Sequence, residues 1–154
     1  MSGLRDKCRL IQAVRLPHAE GLPKPFYAKP GDAGMDLLAA VTEPIFIGPG
    51  ERTLIPTGWK VILPADYELQ IRSRSGLALK DGVVVLNSPG TIDEGYRGEV
   101  GVILFNTTAN WFRVTRGMRM AQAVLAPVVR AEWTEVDSLP DSTRGAAGFG
   151  STGS

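Results

Sequence analysis

The chain has 154 residues, which is enough for one domain with a buried core and too few for two. Its 17 basic and 16 acidic side chains give a formal net charge of +1, and this excludes the lysine and arginine excess of a duplex-binding surface. The one cysteine, Cys8, excludes an intrachain disulfide and a multi-cysteine zinc site, and it favours a reducing compartment.

The first 25 residues match no functional motif and contain one predicted strand, from Leu10 to Leu16. They carry no signal-peptide pattern, and no apolar run in the chain reaches membrane length. We therefore expect a cytoplasmic protein that binds neither a membrane nor nucleic acid. The single histidine, His18, follows Pro17 in a loop-like stretch, and we expect it to be exposed to solvent.

Short apolar segments separated by glycine, proline and aspartate turns fill the middle of the chain. Tyr67–Arg72 alternates apolar and polar residues strictly, as a half-buried strand does. Many short strands at close spacing are typical of an all-β sandwich or barrel. One short helix is predicted over Gly76–Lys80, entered through serines and stopped by Gly82. The other predicted strands are 59–63, 83–86, 100–105, 111–114, 121–125 and 129–136.

Asp36 stands among small and apolar residues in the segment Ala33-Gly34-Met35-Asp36-Leu37. Burial of an unpaired carboxylate is costly, so a metal-bound water or a cation should face it. A structural hydrogen bond is the alternative interpretation.

The entrance of the short helix is a candidate anion site. A serine before the first turn is typical of a helix cap, and the exposed amides of that turn attract anions. Arg74 adds a guanidinium that can bind phosphate in a fork. The alternative is an ordinary capped turn with a surface arginine.

Two further segments carry isolated polar groups. The segment from Thr91 to Glu99 is predicted to be a β-hairpin, in which Asp93 is either a turn former or a catalytic carboxylate. Tyr96 could stack on a flat ligand. Gln122 lies in an otherwise apolar strand, and the alternative to ligand contact is a satisfied core or interface amide.

The C-terminal segment, residues 141–154, is rich in glycine, alanine and hydroxyl side chains and cannot bury a core, so we expect a mobile tail after a domain of residues 1–140. The tail still carries one cation, Arg144, one aromatic ring, Phe149, and the adjacent hydroxyls of Ser151 and Thr152. A lid over a ligand with an aromatic face and an anionic end, such as a nucleoside polyphosphate, fits this set. A flexible solubilising tail is the alternative.

Together and in this order, these segments resemble the five motifs of the trimeric deoxyuridine triphosphate pyrophosphatase family, the dUTPases. The resemblance covers nearly the whole chain after about residue 30. Ala147 departs from it, because glycine is usual there, but the arginine, aromatic and hydroxyl positions of the tail are kept. The matching stretches are AGMDLLAA (33–40), RSGLALKDG (74–82), NSPGTIDEGYRGEV (87–100), RGMRMAQAVLAPV (116–128) and RGAAGFGSTG (144–153).

The resemblance implies a jelly-roll-like β-barrel with one short helix that assembles as a homotrimer, with three active sites at the subunit contacts. It also implies magnesium-assisted hydrolysis of dUTP to dUMP and pyrophosphate by water attack on the α-phosphorus. The implied physiological role is to limit uracil in DNA and to supply dUMP for dTMP synthesis.

The family's residue roles transfer to matching positions of this chain. By resemblance, Asp93 would be the general base, and Asp36 would contact magnesium through water. Tyr96 would lie against the sugar, where a ribose 2′-hydroxyl would clash. The phosphates would be held by Arg74, Ser75, Gly76 and Gln122.

Uracil recognition would come from the hairpin segment and the tail. Phe149 would stack on uracil, and Arg144 would bind the γ-phosphate. The tail residues Gly150, Ser151 and Thr152 would add further contacts. The uracil edge would pair with Asn87 and with backbone groups of Gly90, Thr91, Ile92 and Gly101.

Two rival functions are compatible with the same fold. A dCTP deaminase of this scaffold relies on a glutamate in the strand after the hairpin, and the segment 100–106 contains no carboxylate. A catalytically silent nucleotide-binding or interaction barrel would be favoured by the loss of Asp93 or Arg144, and both are present.

Overall fold

The computed structural model describes residues 8–148. Among them are ten β-strands and one α-helix, so the all-β prediction with one short helix is confirmed. No helix in this part of the chain is long and apolar enough to cross a membrane. In chain order the elements are β1 (Gln12–Arg15), β2 (Met35–Leu38), β3 (Ile45–Ile47), β4 (Arg52–Ile62), β5 (Tyr67–Arg72), α1 (Ser75–Asp81), β6 (Val83–Val85), β7 (Gly90–Ile92), β8 (Glu99–Asn106), β9 (Phe112–Val114) and β10 (Arg119–Pro127).

Two four-stranded antiparallel sheets form the body of the protein. One has the strand order β1-β4-β8-β6, the other has the order β2-β10-β5-β7, and β3 pairs with β9 in a separate ribbon. Strands that follow each other in the sequence are therefore mostly in different sheets, as in a jelly roll.

The apolar core is built from alternating residues of the strands. In β8 every second residue is buried, which places Val100, Val102 and Leu104 in the core. Burial of each such side chain contributes about 1.5–3 kcal/mol relative to exposure. Asn106, at the end of the same row, is fully buried but satisfied, because its Nδ2 donates to the carbonyls of Ile47 and Asn110 at 3.0 and 2.7 Å.

Two of the predicted elements are wrong. The segment from Thr91 to Glu99 is no hairpin, because β7 pairs with β5, whereas β8 pairs with β4 and β6 in the other sheet. The segment connects the two sheets. Residues 129–136 form no strand, since nothing in the described chain pairs with them, and Val129 and Trp133 are 94% and 95% exposed.

The helix ends as predicted but begins differently. Gly82 takes the left-handed conformation (φ 60°) and its amide donates to the carbonyl of Leu77. At the other end Arg74, rather than a serine, occupies the cap position, and no side chain caps the helix. The hydroxyl of Ser73 instead accepts a hydrogen bond from the amide of Val85 at 2.8 Å, which ties the helix entrance to β6.

Candidate functional site

A buried carboxylate faced by two guanidinium groups forms the first part of the candidate site. Asp36, on β2, is 7% exposed. Nε of Arg74 lies 3.0 Å from its Oδ1, and Nη1 of Arg119 lies 3.4 Å from its Oδ2. Arg74 also donates to the backbone carbonyl of Arg119 at 2.9 Å. Of the two expected partners of Asp36, a cation or a metal-bound water, the structure shows cations, because two guanidinium groups contact the carboxylate.

Sheet register brings this cluster together. β10 lies between β2 and β5, so Gln122 is the register partner of Asp36 on one side and of Arg72 on the other. Nε2 of Gln122 donates to the carbonyl of Ser73 at 2.9 Å, which fixes the backbone just before Arg74.

The glycine two residues before Asp36 makes room for Gln122. A Cβ atom at Gly34 would lie 2.2 Å from Oε1 of Gln122. Only a residue without a side chain can therefore stand there while Gln122 keeps its hydrogen bond.

The first helical turn completes this end of the site. Ser75 and Gly76 are exposed at the start of α1, where the amides of a helix have no partner within the helix. They follow Arg74 directly in the chain, so these helix amides lie beside the residue whose guanidinium contacts Asp36.

Sequence reasoning missed Arg119. The residue lies in the fourth motif stretch, three positions before Gln122, and its role depends on β10 lying beside β2. The signal that could have found it is the requirement of buried Asp36 for positive charge.

The described side chains form no protein cage for a magnesium ion. Within residues 8–148, no three His, Cys, Asp or Glu side chains lie together in a way that could hold a metal ion. Both oxygens of Asp36 already contact guanidinium groups. This arrangement does not form a closed protein site, but it fits a magnesium ion held mainly by phosphate oxygens and water, with Asp36 reached through water.

A second group of predicted residues lies on and around β7. Gly90 and Ile92 pair with Ile71 and Leu69 of β5, so their backbone is fixed by the sheet. A Cβ atom at Gly90 would lie 3.2 Å from Nδ2 of Asn87, which shows that the asparagine side chain lies against this glycine.

The other backbone positions of this group are Thr91, exposed on β7, and Gly101 on β8. Gly101 pairs with Pro56 of β4, in the sheet to which β7 does not belong. The structure therefore brings Asn87 and Gly90 into direct contact, and it places Gly101 on the neighbouring element that follows the connecting loop.

Asp93 lies in the turn after β7. The amide of Tyr96 donates to the carbonyl of Asp93 at 3.1 Å, which closes the turn. Glu94 anchors it by accepting a hydrogen bond from the amide of Asp66 at 3.1 Å. The Asp93 side chain itself is exposed and makes no hydrogen bond or ion pair within the described part of the chain.

Asp93 and Asp36 are far apart within one chain. Asp93 directly follows β7, and continuing the β5–β7 register places it opposite Glu68 of β5. Asp36 lies on β2, three strand positions from β7, and the register through β10 aligns it with Arg72 of β5. Four residues along the strands and three strand spacings correspond to perpendicular displacements of about 13 Å and about 14 Å, which give a diagonal separation of about 19 Å. Within one chain the two carboxylates are therefore carried by opposite edges of the same sheet.

The tail is described only in part. Arg144 is exposed, and its Nε donates to the carbonyl of Ala147 at 2.9 Å. The predicted contacts of Phe149, Gly150, Ser151 and Thr152 lie outside the described residues.

Comparison with known proteins identifies the family. The dUTPase family model matches residues 22–153. The deoxyuridine 5′-triphosphate nucleotidohydrolase of Gloeothece citriformis is 56% identical, over 93% of this chain and 96% of its own. That of Brucella melitensis is 54% identical, over 99% of both chains. A solved dUTPase of Staphylococcus bacteriophage 80alpha with dUPNHPP has a TM-score of 0.82 at 27% identity, covering 94% of this chain and 99% of its own. The chain therefore belongs to the dUTPase family of enzymes.

Proposed function

We propose that the protein hydrolyses dUTP to dUMP and pyrophosphate by attack of water on the α-phosphorus, and that it thereby limits uracil in DNA and supplies dUMP for dTMP synthesis. The family match carries this proposal, because it runs from residue 22 to residue 153 and so includes every predicted site residue from Asp36 to Thr152.

Asp93 is the general base in this proposal. A base needs a carboxylate that can reach a water molecule, and Asp93 has no competing partner in the described chain. Its backbone is fixed by the turn and by Glu94, so the side chain is presented from a defined position. The carboxylate takes a proton from the attacking water, and the pyrophosphate leaves.

The phosphates bind at the Arg74 end. Arg74 and Arg119 supply positive charge, Ser75 and Gly76 supply helix amides, and Gln122 holds the backbone that precedes them. Asp36 keeps both guanidinium groups in place. Magnesium, when bound to the triphosphate, would neutralise part of its charge.

Uracil and deoxyribose are selected at β7. The side chain of Asn87 lies against Gly90, so an amide and the β7 backbone can pair with the uracil edge. Cytosine presents the wrong donors there, and polar groups left unpaired reject it strongly. Tyr96 stands where a ribose 2′-hydroxyl would clash. From the tail, Phe149 covers the base, and Arg144 binds the γ-phosphate.

The active protein is a homotrimer whose sites lie between chains. The separation of about 19 Å between Asp36 and Asp93 supports this, because a second chain is needed to bring the two ends together. The exposed segment after β10 supports it too, since Val129, Trp133 and Leu139 are 94%, 95% and 83% exposed and call for a partner surface. In this proposal residues 1–140, which include the exposed segment after β10, form the barrel domain. Residues 141–154 form the lid.

A substrate panel tests the proposed reaction. Pyrophosphate release is measured with dUTP, dCTP, dTTP and UTP side by side, and we expect dUTP to be hydrolysed far faster than the other three. Ammonia release from dCTP would instead indicate a deaminase. Binding of dUTP without any turnover would indicate a silent nucleotide-binding barrel.

Gly34→Ala tests the Gln122 contact. The new Cβ atom would overlap Oε1 of Gln122, so the side chain must move away and release the carbonyl of Ser73. We expect kcat/KM for dUTP to fall about tenfold, as expected for the loss of one positioning hydrogen bond. In a Gln122→Ala background the same substitution should cost nothing further, and an equal loss there would contradict the account.

A further inference from the structure

The N-terminal segment, to which the sequence assigns no function, contacts the start of β8 through His18. Nε2 of His18 lies 2.8 Å from Oε1 of Glu99, and the two side chains are 31% and 27% exposed. A carboxylate only accepts hydrogen bonds, so Nε2 carries the proton and donates it. The expected solvent-exposed histidine is thus a half-buried, paired one.

The same carboxylate oxygen also accepts a hydrogen bond from an irregular part of the neighbouring strand β4. The β4–β8 register shifts between Pro56 and Lys60, and in this interval the amide of Gly58 donates to Oε1 of Glu99 at 2.7 Å. Gly58 is required there, because its φ is +74° and a Cβ atom would lie 2.1 Å from Cβ of Ala19. Glu99, the first residue of β8, therefore contacts both the irregular part of β4 and the turn that carries His18.

The turn that carries His18 is itself held in place. The guanidinium of Arg116 donates to the carbonyls of His18 and Glu20 at 2.6 and 2.7 Å. Arg15 donates to the carbonyl of Ala19 at 2.9 Å, and Ala19 is fully buried. His18 thus approaches Glu99 from a fixed backbone rather than from a loose loop.

Glu99 is linked directly to Tyr96. The Tyr96 hydroxyl donates to the backbone carbonyl of Glu99 at 2.9 Å. A Cβ atom at Gly98 would lie 2.3 Å from the same hydroxyl oxygen, so the tyrosine side chain rests on the glycine. The position of the Tyr96 ring therefore depends on where the backbone of Glu99 lies.

We propose that His18 and Glu99 are positioning residues for Tyr96, through which the N-terminal segment sets the discrimination of deoxyribose from ribose. This rests on the proposed function, in which Tyr96 faces the sugar. The Tyr96 ring can no longer exclude the ribose 2′-hydroxyl once it is free to move by about an ångström. Hydrolysis itself depends on Asp93 and on the phosphate-binding residues around Arg74. Loss of the His18 contact should thus favour UTP while changing dUTP turnover little.

Two His18 variants separate the hydrogen bond from the bulk of the ring. His18→Phe keeps a ring but removes the donor, and His18→Gln keeps a donor. We expect the ratio of kcat/KM for dUTP to that for UTP to fall about fivefold to tenfold in His18→Phe. In His18→Gln, and in the matched control Glu20→Gln in the same turn, the ratio should stay within about twofold of wild type.

A double-mutant cycle tests whether His18 acts through the contact between Glu99 and the Tyr96 hydroxyl. Tyr96→Phe removes the hydroxyl that contacts Glu99, so His18→Phe should have no further effect on the ratio in that background. If the phenylalanine ring prevents folding, as shown by thermal melting, His18→Ala takes its place. An unchanged ratio in the His18 variants, or an equal fall in the Tyr96→Phe background, would overturn the proposal. A wild-type protein without dUTP hydrolysis would instead reject the proposed function.

Discussion

We expect Asp93→Asn to abolish hydrolysis of dUTP while leaving its binding within about tenfold of wild type. Asparagine keeps the shape of the side chain and suits the turn that Tyr96 closes, so the fold is retained. It cannot accept the proton of the attacking water, and loss of a general base typically costs about 10²–10⁴ in rate. Single-turnover kinetics and calorimetric titration with dUTP measure the two effects separately.

Asp81→Asn is the matched control, because Asp81 is an exposed aspartate at the end of α1 and has no role in the proposed site. It should hydrolyse dUTP at the wild-type rate. If Asp93→Asn kept most of its turnover, Asp93 would be a turn residue only, and the base would have to be sought elsewhere.

We expect truncation after Asp141 to leave a folded barrel with very low activity. Within the described chain the hydrogen bonds of residues 142–147 are all to one another, so their removal costs the barrel little. The truncation removes Arg144 and Phe149, which in our proposal bind the γ-phosphate and cover the base. We expect kcat/KM for dUTP to fall by about 10² or more, because the triphosphate loses both a charge clamp and its cover.

Melting temperature separates the lid from a structural tail. We expect the truncated protein to melt within a few degrees of wild type, and a large drop would show that the tail supports the barrel. Ala147→Gly is the control within the tail. It restores the residue usual in the family and leaves every proposed contact in place, so its activity should match wild type.

Local patterns predicted the strands well where one face is buried. Tyr67–Arg72 is found with the predicted bounds, because its strict alternation reports a half-buried strand directly. The Thr91–Glu99 segment shows the limit. Turn residues indicate where the chain reverses, but the choice of β5 as the partner of β7 is set by packing between distant segments.

The remaining errors also concern partners. Residues 129–136 have the composition of a strand, but a strand needs a neighbour, and the described chain offers none. The chemistry of Asp36 predicted either a cation or a metal-bound water beside it, and the structure shows guanidinium groups there. Arg119 could be identified only once the sheet register placed β10 beside β2. His18 was missed because its partner Glu99 is 81 positions away.

Co-refolding of two inactive variants tests the central claim, a dUTPase site assembled from different chains. Asp93→Asn lacks the base and Arg144→Ala lacks the phosphate clamp, and the two proteins are refolded together in equal amounts. In a three-fold ring each mixed trimer contains one site with an intact turn from one chain and an intact tail from its neighbour. Random mixing makes about three quarters of the trimers mixed, so about a quarter of all sites should recover. Activity near a quarter of wild type is the predicted result. No recovery, with mixing confirmed by mass spectrometry, would contradict the shared site.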